Sequence, residues 1–328
     1  MDSYNVLLLS IGRRVELVNC FMNAAKKLNI HSVIWGGDCS DTAPALYFAD
    51  KACILPSISS PNYINSIIDI CKRNNIALII PTIDTDLLLL SRNKETIESL
   101  TSAKLVISDE RMISVCQNKV DTQKFLESNG FNMPYMYTEN ELNKAAELPY
   151  PLFIKPQEGS SSINTFVVRN SDELSIYRRI IDRYIVQDYI EGKEFTVDTF
   201  SDFDGRIITI VPRLRLSTRS GEISKGRIIK DKEIINEIER LLTILNPIGP
   251  ITIQCMKTKR GIEFIEINPR FGGGAPMSIA SGANSCENLY KLLMGQKLKY
   301  NDNYIDKLLY LRFDSSICLN EKMDVVSL

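Results

Sequence analysis

Glu266 and Asn268 stand two residues apart in the otherwise apolar stretch GIEFIEINPRFGGG, residues 261–274. An acid and an amide at that spacing share one face of a β-strand, because strand side chains alternate. Phe264, Glu266 and Asn268 are expected on one face, and Ile265 and Ile267 on the other, against the core. Upstream, ITIQCMK sets Gln254 among apolar residues, and the basic turn TKRG joins the two runs as a hairpin. A register pairing Lys257 with Glu263 puts Gln254 opposite Glu266, with Cβ atoms about 4.5–5.5 Å apart. Three oxygen-bearing side chains with a single carboxylate suit a hard divalent cation such as Mg²⁺, which takes one or two carboxylates plus water and phosphate oxygens. A buried hydrogen-bond network accounts for the same three residues equally well, since each would cost about 1–3 kcal/mol if left unpaired.

Other segments point to phosphate. Lys155 ends the run FIKP, and Gly159, Ser160, Ser161 and Ser162 follow it. Small side chains let backbone N–H groups approach phosphate oxygens, and a nearby lysine adds charge. In VQDYIEGKEF a hinge separates two strands; its backbone can pair with an adenine edge while Asp188 or Glu194 reaches a ribose. Residues 206–230 carry seven Lys or Arg against one Glu, a local excess that reads either as an anion-binding segment or as a solvated loop. The turn LSIGRRVE holds Ser10, Gly12, Arg13 and Arg14 ahead of a helical pattern, where a small anion can meet a helix N-terminus. It has one glycine rather than the three of a dinucleotide-binding turn. Asp84, in PTIDTD, can face a ligand or cap the next helix.

Behind these residues lie 328 positions, 44% hydrophobic and 24% charged, with a net charge of −1. No global field draws the chain to nucleic acid or an acidic membrane. The single histidine, His31, makes His-rich metal sites and a Ser-His-Asp triad improbable. Eight cysteines without a C-x-x-C read as reduced, packed thiols. The opening MDSYNVLLLSIGRRV lacks the basic start of a signal peptide, and no apolar run approaches bilayer length, so a cytoplasmic location is expected.

Strand-like and helix-like runs alternate over the first hundred residues, which implies a parallel sheet covered by helices, a Rossmann-like α/β domain. After residue 108 two helices are expected, the second stopping at Gly130. Antiparallel strands mixed with helices follow, an α+β pattern.

The order FIKP, Gly/Ser loop, VQDYIEGKE, IQ and EINPR resembles the ATP-grasp superfamily, and is similar in particular to single-module relatives of carbamoyl-phosphate synthase large subunits. GRRVELV, Asp50-Lys51 and IIPTIDTDL resemble the preceding domain of that group. The resemblance implies a Rossmann-like pre-ATP-grasp domain (1–108), an ATP-grasp domain of two α+β subdomains (109–300, with a lid at about 115–186 and a second part at about 187–300), and a C-terminal extension (301–328). It implies ATP and Mg²⁺, with Mn²⁺ as a substitute. Lys119 and Lys155 would contact phosphates, the loop of Gly159, Ser160, Ser161 and Ser162 would close over them, and Gln187, Asp188, Tyr189 and Ile190 would frame the adenine, with Asp188 or Glu194 at the ribose. Gln254, Glu266 and Asn268 match the metal positions, and Arg270, beside Asn268, the arginine that meets the reacting groups. Asn118 stands where relatives often carry Asp. The implied activity is ligation of a small-molecule carboxylate to an amine with release of ADP and phosphate. Gly12, Arg13, Arg213, Arg215, Gly273 and Gly274 are the expected substrate contacts, and a homodimer is a common state in the family. Carbamoyl-phosphate or carboxylase chemistry on bicarbonate, and a nucleotide-binding regulatory module, are the competing expectations.

Overall fold

The computed structural model describes residues 3–159, 163–219 and 221–326. The order along the chain is β1 (Asn5–Leu9), α1 (Val15–Leu28), β2 (Ile34–Asp38), β3 (Lys51–Ile54), α2 (Tyr63–Asn74), β4 (Ile76–Pro81), α3 (Asp84–Arg92), α4 (Lys94–Leu100) and β5 (Lys104–Leu105). These strands pair in parallel in the order β3-β2-β1-β4-β5. Val6 and Leu8 of β1 join one buried cluster and Leu7 and Leu9 another, because a parallel sheet is covered on both faces.

There follow α5 (Glu110–Gln117), α6 (Lys119–Ser128), α7 (Glu139–Leu142), β6 (Leu152–Pro156), β7 (Phe166–Val168), α8 (Ser171–Ile180) and β8 (Tyr184–Asp188). The strands β7-β6-β8 form a small antiparallel sheet with its own core, including Leu152, Ile154, Leu174 and Val186. Helices α5 and α6 do not belong to that core. Met112, Cys116 and Leu126 pack instead under the larger sheet, so the small lobe starts later than the expected residue 115.

The rest is β9 (Lys193–Ser201), β10 (Ile207–Arg219), β11 (Glu222–Ile228), α9 (Lys232–Leu245), β12 (Gly249–Thr258), β13 (Gly261–Asn268), α10 (Ala275–Ser278), α11 (Ser285–Leu293) and β14 (Leu309–Leu311), with a short hairpin of two two-residue strands after it. Six of these strands form one antiparallel sheet, β13-β12-β9-β10-β11-β14. The segment expected as an appended extension therefore supplies this sheet's edge strand.

The β12–β13 ladder departs from the expected register. Lys257 pairs with Ile262 and Cys255 with Phe264, yet Gln254 pairs with Glu266. Ile265 is left over, a β-bulge. One extra residue reverses the alternation. Phe264 therefore packs in the core with Ile253, Cys255 and Ile267, on the face opposite Glu266, and not beside it as simple period-2 counting expects.

Phe21 of α1 fixes the relation between the parallel sheet and the end of β13. Its ring meets Phe271 and Tyr290 edge-on, each with centroids 6.1 Å apart. One buried cluster runs through all three, which holds the β1–α1 turn against the loop after β13.

Candidate active site

A cleft of about 360 Å³ opens where these parts meet. Its walls come from the β1–α1 turn, the start of α3, one face of the large sheet and the loop at 272–274. The core face of that sheet carries Ile251, Ile253 and Ile267 under α9; the other face carries polar rows. Glu266, Gln254, Thr196 and Arg213 are successive neighbours across the strands, and Asn268, Thr252 and Asp198 form the next row.

Of the three expected cation donors, Gln254 lies directly opposite Glu266, and Asn268 is two residues on, opposite Thr252. Gln254 Oε1 accepts from Arg215 Nη1 at 3.3 Å, and Asn268 Oδ1 from Arg270 Nη2 at 3.2 Å. Among the described residues, Glu266 has neither a hydrogen bond nor an ion pair for its side chain. A half-buried carboxylate with no direct hydrogen bond or ion pair, flanked by two amide oxygens and within electrostatic reach of Lys155 and Arg215, fits a hard divalent ion that also takes phosphate oxygens.

Arg270 stands at the exit of β13. Its Nη2 donates to Asp84 Oδ2 at 2.5 Å, its Nη1 to the Phe271 carbonyl at 3.1 Å, and its buried Nε has no partner. Asp84 opens α3, so the parallel-sheet domain positions an arginine of the other one.

The residues expected at the nucleotide lie beside this cleft rather than in its walls. Lys155 of β6 is only 6% exposed, and burial lowers its ammonium to about 8; Glu266 works against that shift and Lys119 adds to it. Lys119 Nζ donates to the Gly159 carbonyl at 2.8 Å. Gly159 has φ +105°, a conformation that glycine adopts at no steric cost. Ser160, Ser161 and Ser162 lie outside the described residues. The Gln187 side chain is buried and donates to Gln123 Oε1 at 2.7 Å, while its backbone pairs with Phe153 of β6. Asp188 Oδ1 accepts from Tyr137 Oη at 2.7 Å; Tyr189 is exposed and Ile190 half-buried. Glu194 is held by Arg215 at 2.8 Å; burial nonetheless pushes its carboxyl upward, with Arg215 opposing.

Among the expected substrate contacts, Gly12 has φ +47° and donates its N–H to Asp38 Oδ2 at 2.8 Å; Arg13 is exposed in the cleft wall. Arg213 is 1% exposed and clamps Asp198 through Nε (2.6 Å) and Nη2 (3.1 Å). A Cβ on Gly274 would lie 2.5 Å from Arg213 Nη1, and one on Gly273 2.9 Å from Glu222 Oε1, so side chains there would close the loop's approach to the sheet. Four of the seven cations in the basic run at 206–230 are paired with carboxylates of described residues. Arg206 pairs with Asp202 and Asp204, Arg213 with Asp198, Arg215 with Glu194 and Arg219 with Asp314.

Glu16, Glu222 and Arg312 also line the cleft without having been expected there as site residues. Arg312 joins Glu222 at 2.9 Å and Glu16 at 3.3 Å. The alternating run around β14 is the one local signal that could have placed Arg312 on a strand edge.

Two family models match the chain. One is described as PylC-like, N-terminal domain (residues 6–105), the other as ATP-grasp domain (residues 116–274). The carbamoyl phosphate synthase large chain of Thermoanaerobacter pseudethanolicus is 28% identical over 219 residues, 60% of this chain and 20% of that protein. The chain thus matches only a fifth of that relative's length. Biotin carboxylase from Campylobacter jejuni, solved as a complex with a β,γ-ATP ligand, superposes with a TM-score of 0.70 at 18% identity, covering 92% of this chain and 73% of that one. An L-amino acid ligase from Bacillus licheniformis gives 0.69 at 18% identity, covering 92% and 76%.

Proposed function

Since this chain belongs to the ATP-grasp proteins, carrying their domain behind a PylC-like N-terminal domain, we propose that it is an ADP-forming carboxylate–amine ligase. The observation that carries the reading is the convergence of Glu266, Gln254 and Asn268 with Arg270 on one side of a cleft whose other side is built by the β1–α1 turn and Asp84.

Glu266, Gln254 and Asn268 would hold a divalent cation, Mg²⁺ or in its place Mn²⁺, which would supply charge neutralisation for a triphosphate. Lys155 and Lys119 face the same region and would bind its phosphates, while the 187–190 hinge would receive the base. Arg270, at the end of the Glu266 row, would grip the reacting carboxylate and the phosphoryl group. An acid oxygen would displace ADP from the terminal phosphorus, and the amine would then attack the carbonyl carbon of the resulting acyl phosphate, forming the amide C–N bond as free phosphate leaves and the nitrogen gives up a proton. An anion attacking a polyanion needs opposing charge fixed in advance, and buried, already oriented guanidinium and ammonium groups provide it without reorganisation. The buried state of Lys155 supports a water-poor nucleotide site. The reaction requires no histidine or cysteine nucleophile.

The test is incubation with ATP, Mg²⁺ and pooled carboxylates and amines. ADP and phosphate, formed only when an acid is present, are the expected products. AMP and pyrophosphate would indicate adenylation and overturn the reading.

A further inference from the structure

The cleft wall contains six arginines, Arg13, Arg14, Arg213, Arg215, Arg270 and Arg312. Four of them have a carboxylate of their own: Asp198 for Arg213, Glu194 for Arg215, Asp84 for Arg270, and Glu222 with Glu16 for Arg312. The side chains of Arg13 and Arg14 make neither a hydrogen bond nor an ion pair with a described residue, although the charge of Glu222 reaches both and that of Asp84 reaches Arg14. Arg14 is half-buried at the head of α1, which no side chain caps. Only carboxylates that make no direct contact, Glu222 and Asp84, compensate the Arg14 guanidinium, and a ligand anion in direct contact would compensate it more fully.

The surroundings agree. Burial, and next the charge of Arg270, lower Arg14 to about 10, with Glu222 and Asp84 opposing, so the two guanidinium groups are near one another and Arg14 keeps its charge at neutral pH. Glu222 sits close enough to Arg14 and Arg13 that both help hold its carboxyl below the usual range against the effect of burial, with Arg312 the larger influence. Buried donors of arginines in the cleft wall also lack partners. Arg213 Nη1, on a side chain 1% exposed, and the buried Arg215 Nε have no partner. The distribution is one-sided: unmatched cations at the β1–α1 turn, and an arginine already oriented by Asp84 at the reacting end.

We propose that the acid activated here carries a second anionic group, a carboxylate or a phosphate, which docks on Arg14 and the β1–α1 turn while its reacting carboxylate lies at Arg270. This deepens the ligase reading and rests on it for the identity of the reacting end. A monoanionic acid would leave Arg14 unmatched. A dianionic one gives each end of the cleft a counter-ion, in the bidentate geometry that guanidinium groups favour.

Matched acids test it: a dicarboxylate against its monomethyl ester, and a phosphorylated hydroxy acid against the unphosphorylated one. Turnover is followed as ADP release with hydroxylamine as the amine, and binding by calorimetry without nucleotide. In the wild type the dianionic member of a pair should show the lower KM and Kd by about tenfold to a hundredfold, the range of one charge-assisted contact. Arg14→Gln should erase most of that preference, and Arg14→Lys should restore part of it, which a merely structural role would not do. The carboxylate and phosphate arms identify which anion is used. Equal KM and Kd for both members of every pair, or a preference that persists in Arg14→Gln, would overturn the proposal. Should no acid release ADP, the ligase reading fails, while calorimetry still decides the anion site: Arg14-dependent dianion binding supports it, and its absence overturns it.

Discussion

Replacing Lys155 with methionine should stabilise the ligand-free protein while removing its response to nucleotide. The lysine is 6% exposed, and its ammonium makes no hydrogen bond to a described residue. Burial brings its value from 10.5 to about 8. At about 1.36 kcal/mol for each pH unit, that interval corresponds to about 3 kcal/mol spent on keeping the group charged in the folded state at neutral pH. The sign follows from linkage. The folded value lies below the unfolded one, so the unfolded chain holds the proton more tightly, and this contribution to stability rises with pH between about 8 and 10.5. Methionine is similar in length and carries no charge. Urea unfolding at pH 7 without nucleotide should therefore find Lys155→Met more stable by up to about 3 kcal/mol, an advantage that shrinks as the pH is raised towards 10. Adding ATP and Mg²⁺ should reverse the order: at a hundred times Kd a ligand adds about 2.7 kcal/mol to a protein that binds it, and the variant should gain little. A variant less stable than the wild type at pH 7, or a difference that does not change with pH, would refute the assignment of Lys155 as a charged group held ready for phosphate.

Two further outcomes follow from the same geometry. Glu266→Ala combined with Asn268→Ala should lower Mg²⁺-dependent ADP release by on the order of a thousandfold, several kcal/mol of lost charge stabilisation, in a protein that still unfolds cooperatively on heating; full activity would remove the cation assignment. Asp198→Ala should cost about 3–5 kcal/mol in urea unfolding, since it strips a buried guanidinium of its carboxylate and also removes the acceptor for Ser278 and Thr252; a loss below about 1 kcal/mol would mean that the Arg213–Asp198 pair is not structural.

Much of the fold was legible because its signals are local. The parallel domain announces itself through apolar runs alternating with amphipathic ones, and α5 and α6 through their spacing and the stop near Gly130. The polar residues of β13 stood out because oxygen-bearing side chains in an apolar strand need a partner. Period-2 counting puts Phe264 on the wrong face because it assumes an unbroken ladder. The bulge at Ile265 arises only when β13 is aligned with β12 and with the helices beneath them.

Local chemistry thus determined which residues bear charge and oxygen: Gln254, Glu266, Asn268, Arg270, Lys155 and the arginine pair at 13 and 14. Tertiary structure decided what each of them faces. Asp84 reaches Arg270 across 186 positions of sequence, and Arg312 enters the cleft because β14 pairs with β11. Arg206, Arg213, Arg215 and Arg219 of the basic run found carboxylates elsewhere in the chain, while Arg14, equally charged in the sequence, kept a guanidinium without an ion pair. Charge belongs to a residue, but pairing belongs to a place, and places are made by contacts between segments that sequence order keeps far apart.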